Sequence, residues 1–141
     1  MSIYIKLADF ADCQKICDMQ RLAFNDILTR YRDYDTNPAC ETVEVIQNKF
    51  RQTFTKYYFI MKDEEIIGAV RIVEIDKSTR RISPLFILPQ FQNCGYAQLA
   101  VKCIEETYKN ISCFTLDTIK QEKKLCYLYE KLGYLLSLIH I

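Results

Sequence analysis

Glycine is scarce in this chain, with 3 residues in 141, where soluble proteins average roughly 7%. Tryptophan is absent, and there is 1 histidine. A single imidazole cannot supply the nitrogen ligands of a zinc site, and no pair of the 7 cysteines stands at C-x-x-C spacing. Metal chemistry is therefore excluded. Charge of one sign is missing too: 19 basic against 18 acidic residues leave +1, too little for nucleic-acid binding by bulk phosphate attraction. No apolar run approaches a membrane span, and the N-terminus (Met1-Ser2-Ile3-Tyr4-Ile5-Lys6) lacks the basic-then-apolar layout of a secretory signal. The expectation is a cytoplasmic protein.

What is present is a core. Hydrophobic residues make up 50% and charged residues 26%, which suits one folded domain and excludes a disordered chain. The odd number of cysteines reads as reduced, mostly buried thiols, with Cys13 and Cys17 on one face of a helix.

Tyr4 to Leu7 reads as a first strand and Asp9 as an N-cap, with Asp12 favourable to the helix dipole. Cys13, Ile16, Cys17, Ala23 and Ile27 recur at helical spacing and predict a helix to about Leu28. Arg30 to Asp35 forms a polar, aromatic loop. Asn37-Pro38 reads as N-cap and first residue of a second helix, whose stripe is Ala39, Val43, Ile46, Phe50 and Phe54. Tyr57 to Met61 and Ile66 to Val73 flank the turn Asp63-Glu64 as a hairpin. Ile82 to Leu88 is a fourth strand in which Pro84 demands a bulge or an unpaired edge. Tyr96 to Tyr108 reads as a helix, Cys113 to Leu116 as a strand, and Leu125, Leu128, Tyr129 and Leu132 as a last helix ended by Gly133.

Because glycine is rare, each one answers a local backbone demand. Gly68 suits close packing in the hairpin. Gly95 lies between a strand and a helix start, in Pro89-Gln90-Phe91-Gln92-Asn93-Cys94-Gly95-Tyr96-Ala97. A helix's first turn offers unpaired N–H groups and a partial positive charge. Small residues at 95 and 97 let an anion reach those amides, so the turn suits a phosphate or pyrophosphate held by backbone. An ordinary tight strand-to-helix turn would read the same way.

Gln92-x-x-Gly95-x-Ala97, preceded by Pro89 and a strand, resembles the acyl-CoA-binding motif of the GNAT superfamily of N-acetyltransferases. Leu128-Tyr129-Glu130-Lys131-Leu132-Gly133-Tyr134 resembles that family's "LYEKLGF" segment, and the element order over about residues 3 to 135 is similar. The resemblance implies a mixed α/β fold, a mostly antiparallel sheet whose fourth and fifth strands splay apart, flanked by about four helices. It implies acetyl-CoA as cosubstrate, no metal, and transfer of an acetyl group to a small-molecule or peptide amine by direct attack in a ternary complex. A non-catalytic acyl-CoA-binding module on the same fold is the alternative. Neither nucleic acid nor membrane is an expected partner, and a homodimer is allowed. The motif match assigns the pyrophosphate to Gln92, Asn93, Cys94, Gly95, Tyr96 and Ala97. It assigns the pantetheine arm to Phe86, Ile87 and Leu88, and the general acid to Tyr129, which periodicity alone would place on the apolar stripe. Glu41, Glu74 and Asp117 are conceivable bases, none assigned. The Arg30 to Asp35 loop falls where the family builds its acceptor pocket. Glu122 and Leu125 stand where relatives often carry asparagine and alanine.

GNAT proteins generally continue past the last helix with a two-stranded hairpin, whereas this chain stops eight residues after Gly133. Its ending, Leu136-Ser137-Leu138-Ile139-His140-Ile141, matches a translation of a transposase sequencing-library adapter. The expectation is a single domain over 1–135 in a truncated reading frame, with 136–141 a non-native tail. Resequencing the locus is expected to find adapter bases over these codons; a native stop directly after Ile141, without them, would remove the idea.

Overall fold

The computed structural model describes residues 2–31, 41–119 and 135–139, with side chains described for 2–24 and 41–115. The elements are β1 (Ile3–Leu7), α1 (Cys13–Tyr31), α2 (Val43–Phe50), β2 (Thr55–Lys62), β3 (Glu65–Asp76), β4 (Thr79–Ile87), α3 (Tyr96–Thr107), β5 (Cys113–Ile119) and β6 (Leu135–Ile139). The strands form one sheet in sequential order. Pairings from β1 through β4 are antiparallel, while β4–β5 and β5–β6 are parallel. This is the mixed, mostly antiparallel arrangement expected. Among the described residues there are three α-helices; the expected last helix, with Tyr129 and Gly133, lies outside them. No helix of the described residues is long and apolar enough to cross a membrane.

Asp9 acts as the expected cap. Its carboxylate accepts from Ala11 N at 2.9 Å while Asp12 accepts from Asp9 N at 2.9 Å. The resulting capping box starts a 3-10 turn, Phe10–Asp12, that runs straight into α1. That helix continues to Tyr31, so Arg30 and Tyr31 end the helix rather than begin the loop. The second helix starts later than Asn37-Pro38 suggested. Thr42 is its N-cap, with the hydroxyl accepting from Val45 N at 3.4 Å, while residues 37 and 38 lie outside the described ones. Phe54, expected on the α2 stripe, instead falls beyond the helix in the turn before β2, where it is 46% exposed.

Two cores sandwich the sheet. Tyr57, Phe59, Met61, Ala69 and Phe86 pack with Cys13, Ile16, Cys17 and Ile46 under α1 and α2. Ile60, Ile67, Val70, Ile72, Ile82 and Ile87 pack with Tyr96, Ala100 and Ile104 of α3. Alternate residues of β2 and β3 thus serve opposite helical layers, which explains their nearly unbroken apolar runs. Each fully buried isoleucine contributes about 1.5–3 kcal/mol to this packing.

The fourth strand carries the expected irregularity. Val70 pairs with Leu85 and Ile72 with Ile82, so Ser83 and Pro84 together face Arg71. This is a β-bulge, placed where a residue lacking an N–H costs the ladder least. Beyond it β4 and β5 part: their register runs from Thr79↔Cys113 to Ile82↔Leu116 and stops, although β4 continues to Ile87. The fifth strand pairs in turn with residues 135–139. Most of the segment read as a non-native tail is therefore strand, as its apolar residues favour whatever their origin.

Gly68 answers a close approach, though between β3 and β4 rather than across the β2–β3 hairpin. A Cβ there would lie 2.2 Å from Phe86 O and 3.1 Å from the Ile87 Cα. Both are main-chain atoms in mid-sheet and neither can step aside. Gly68→Ala is expected to lose at least about 1–3 kcal/mol, read as a lowered midpoint in chemical denaturation; an unchanged midpoint would show that β4 moves freely at this position.

Candidate functional site

The end of β4 and the start of α3 form one compact turn. Pro89 opens a 3-10 turn, Pro89–Phe91, in which Phe91 N donates to Leu88 O at 2.9 Å and Gln92 N to Pro89 O at 3.3 Å. The Gln92 side chain reaches back, its Nε2 donating to Ile87 O at 2.8 Å. This bond ties the turn before α3 to the end of β4, so Gln92 lies against the strand residues Phe86 to Leu88. Two residues of the turn are left-handed, Asn93 with φ 64° and Gly95 with φ 82°. Asparagine and glycine are the residues that adopt this conformation most readily.

Gly95 is the N-cap of α3, and the first helical bond runs from Leu99 N to Gly95 O at 3.3 Å. The N–H groups of the turn before Leu99 thus have no acceptor within the helix. Gln92, Asn93, Cys94 and Gly95 are exposed, and a Cβ built on Gly95 meets nothing within 4 Å. Backbone conformation therefore demands this glycine, and open space lies in front of it. The helix dipole gives this turn a positive potential without a basic side chain. Tyr96, buried at the start of α3, has the Lys62 ammonium 5.6 Å from its ring centroid. Lys62 brings a cation to the same end of the sheet. Its sequence context at the close of an apolar strand gave no sign of this.

On the strand side, Leu88 N donates to Ile67 O at 2.8 Å. Strand alternation then turns the main-chain groups of Leu88 and Phe86 toward β3 and those of Ile87 away from it, toward the side that β5 has left. The Phe86 ring packs edge-on against Phe24 of α1 at 5.6 Å between centroids, fixing the strand under the helix. Tyr129 and its motif lie outside the described residues.

Of the conceivable bases, Glu74 is exposed and pairs with Arg80 at 3.1 Å, beside a cavity of about 90 Å³ at the far end of α3. Asp117 lies on β5, and its side chain is outside the described ones. Glu41 accepts from Lys49 Nζ and, at 3.3 Å, from Gln20 Nε2. Burial holds the Lys49 ammonium below its ordinary pKa, with Arg71 and Arg81 adding to the effect and Glu41 opposing it.

Glu41 and Lys49 belong to a polar cluster that the motifs did not reveal. Arg71 donates from Nε to Thr55 Oγ1 at 3.0 Å and from Nη1 to Ser83 O, at the bulge, at 3.2 Å. Tyr57, 1% exposed and stacked on Phe50 at 4.8 Å, lies near Glu41 and Arg71, and its hydroxyl has no hydrogen-bond partner among the described residues. Burial pushes that phenol well above its usual range, so it remains a donor. The available signal was Arg71 itself, a charge in the run Ala69-Val70-Arg71-Ile72-Val73.

The cysteines behave as buried apolar groups where the helices cover them. Cys13 and Cys17 are each 2% exposed, and burial raises both thiols above their ordinary pKa. Cys94, in the turn, is exposed.

Comparison with known proteins agrees with this architecture. A search among curated proteins finds no match. Among solved structures, the PaiA N-acetyltransferase of Thermoplasma acidophilum, in complex with coenzyme A, superposes with a TM-score of 0.73 at 14% identity, covering 93% of this chain and 89% of that one. An acetyltransferase from Thermus thermophilus gives 0.75 at 10% identity, covering 94% and 86%. An aminoglycoside acetyltransferase from an uncultured soil metagenomic sample gives 0.69 at 18%, covering 100% and 97%. At these identities the likeness is one of fold. The family model "Acetyltransferase (GNAT) family" matches residues 16–134, most of the chain, including the turn at Gly95 and the segment around Tyr129. The chain belongs to the GNAT family of acetyltransferases.

Proposed function

We propose that the protein is an N-acetyltransferase that moves an acetyl group from acetyl-CoA to a primary amine by direct attack in a ternary complex. The observation that carries this reading is the coincidence of two features at the end of β4. Pairing with β5 stops at Ile82, and the amides opening α3 stand within one turn of the freed strand. A gap between strands suits an extended, amide-bearing arm. The amide cradle suits the diphosphate that precedes such an arm in coenzyme A.

Acetyl-CoA would supply a thioester whose carbonyl carbon the amine attacks. In this reading the N–H groups from Gln92 to Ala97 hold the diphosphate, and the main chain of Phe86 to Leu88 pairs with the pantetheine arm. Of those groups, Gln92 N–H, Leu88 N–H, Leu88 C=O and Ile87 C=O already have protein partners, which leaves the Ile87 N–H to face the gap and the amides after Gln92 to meet the diphosphate. A fixed amide directed at developing negative charge supplies about 2.7–4 kcal/mol of barrier lowering in comparable sites. Tyr129 donates a proton to the departing thiolate. A phenol, with an ordinary pKa of about 10, is protonated at neutral pH and suited to that role. No metal is required, and the buried thiols of Cys13 and Cys17 are poor nucleophiles.

Two substitutions test the assignment. Tyr129→Phe is expected to lower kcat by about 10²–10⁴ with affinity for CoA, from calorimetric titration, within about twofold. Gly95→Val is expected to weaken CoA binding by tenfold or more, through a branched side chain beside the amides. An unchanged rate in Tyr129→Phe would retire the general acid. CoA binding without turnover of any amine would favour the non-catalytic module.

A further inference from the structure

Among the described residues β1 is an outer strand of the sheet, paired with β2 alone. Its bonds fix which main-chain groups that pairing uses. Asp63 N donates to Ser2 O at 2.8 Å and Ala8 N to Tyr57 O at 2.9 Å, so the even-numbered residues from 2 to 8 turn their peptide groups toward β2. Antiparallel alternation then turns those of Ile3, Ile5 and Leu7 outward. The Cys103 thiol of α3 agrees with that direction, donating to Ile3 O at 3.3 Å. The outward groups of Ile5 and Leu7 have no partner among the described residues. The side chains of the strand are open as well. Tyr4 is 40% and Leu7 58% exposed, and Lys6, also exposed, forms no ion pair among the described residues. Tyr4 Oη donates to Asp63 O at 2.7 Å, which sets the exposed acidic turn Asp63-Glu64 beside Tyr4.

We propose that β1 is the interface of a homodimer, pairing antiparallel with β1 of a second copy about a two-fold axis at Ile5. The inference stands apart from the acetyl-transfer reading. An outer strand with free peptide groups is a template for another strand, and three features of Ile3-Tyr4-Ile5-Lys6-Leu7 point to its own copy. First, centred on Ile5, outward-facing residues meet outward-facing residues: Ile5 lies opposite Ile5 and Ile3 opposite Leu7, so their N–H and C=O groups exchange bonds. A carbonyl has two lone pairs, and the Cys103 thiol takes one of those on Ile3. Secondly, this register sets Lys6 opposite Tyr4 and so beside Asp63 and Glu64. Each copy offers its cation to the acidic turn of the other, and the symmetry makes that pair twice. Thirdly, it lays Leu7 against Ile3 on the α3 side of the sheet and the Lys6 stem against Tyr4 on the opposite side. The two large exposed side chains of the strand are then both covered. It is also the register that pairs all five residues of β1.

The test is sedimentation equilibrium of the full chain over about 1–200 μM, a range suited to a small interface. The expected result is a single chain at the low end and twice that mass at the high end. Leu7→Pro removes an outward N–H and spares the pairing with β2, an orientation in which an outer strand tolerates proline. Lys6→Glu sets like charges together at both ends of the interface. Each is expected to weaken association about tenfold or more, with the circular dichroism of the parent, and Glu64→Lys added to Lys6→Glu should restore it. In the parent, amide exchange at Ile5 and Leu7 should slow as concentration rises, and that at Tyr4 and Lys6, bonded to β2, should change much less. A strand with a purely internal role would show no such dependence. A single-chain mass at every concentration, or a dimer that Lys6→Glu and a folded Leu7→Pro both leave intact, would overturn the proposal.

Discussion

The fourth strand is shared unequally between its neighbours. Along β3 it is bonded from Thr79 to Ile87, whereas β5 accompanies it only as far as Ile82. The bulge at Ser83 and Pro84 marks the division. Past that point the main-chain groups that would have faced β5 need other partners, because unpaired polar groups inside a protein are costly. One of them, Ile87 O, is taken by the Gln92 side chain. That bond also sets where the next helix begins, so one interruption of pairing both opens a gap and places the amides of α3 at its mouth.

The two polar regions flanking this gap have different physical origins. At α3 the positive potential comes from backbone, needs no basic residue and is invisible in composition. On the reading proposed, this is how a chain with a formal charge of +1 can still present an anion site. Under α1 and α2 the polar contacts are made by side chains, Lys49 with Glu41 and Arg71 with Thr55 and Ser83 O, brought together from α2, β3 and their neighbours. Backbone dipoles are fixed by the fold, whereas side-chain charges can be exchanged one at a time.

Much of the architecture was legible in order and type. The strands from Tyr57 to Leu88, the bulge forced by Pro84, and the helix after Gly95 follow from period-2 runs, a missing N–H and a left-handed glycine. What escaped was set by tertiary context. The second helix starts at Thr42, because its hydroxyl captures Val45 N; an Asn-Pro pair upstream looked the better cap. Phe54 keeps the helical spacing but falls past the helix end. The turn before α3 was legible because it is local, nine residues in a row. The Tyr57–Lys49–Arg71 cluster was not, since its members are distant in sequence and meet only when α2 lies across β2 and β3. Lys62 beside Tyr96 was hidden for the same reason.

The proposed function rests on the amides at the start of α3 being offered to a diphosphate. Amide resonances followed by ¹⁵N-resolved NMR during titration with CoA observe those groups themselves. The expected result is saturable shifts concentrated at Cys94, Gly95, Ala97 and Gln98, with a further shift at Ile87, and much smaller changes along β1 and β2. Shifts confined to other parts of the sheet, or none at saturating CoA, would contradict the reading.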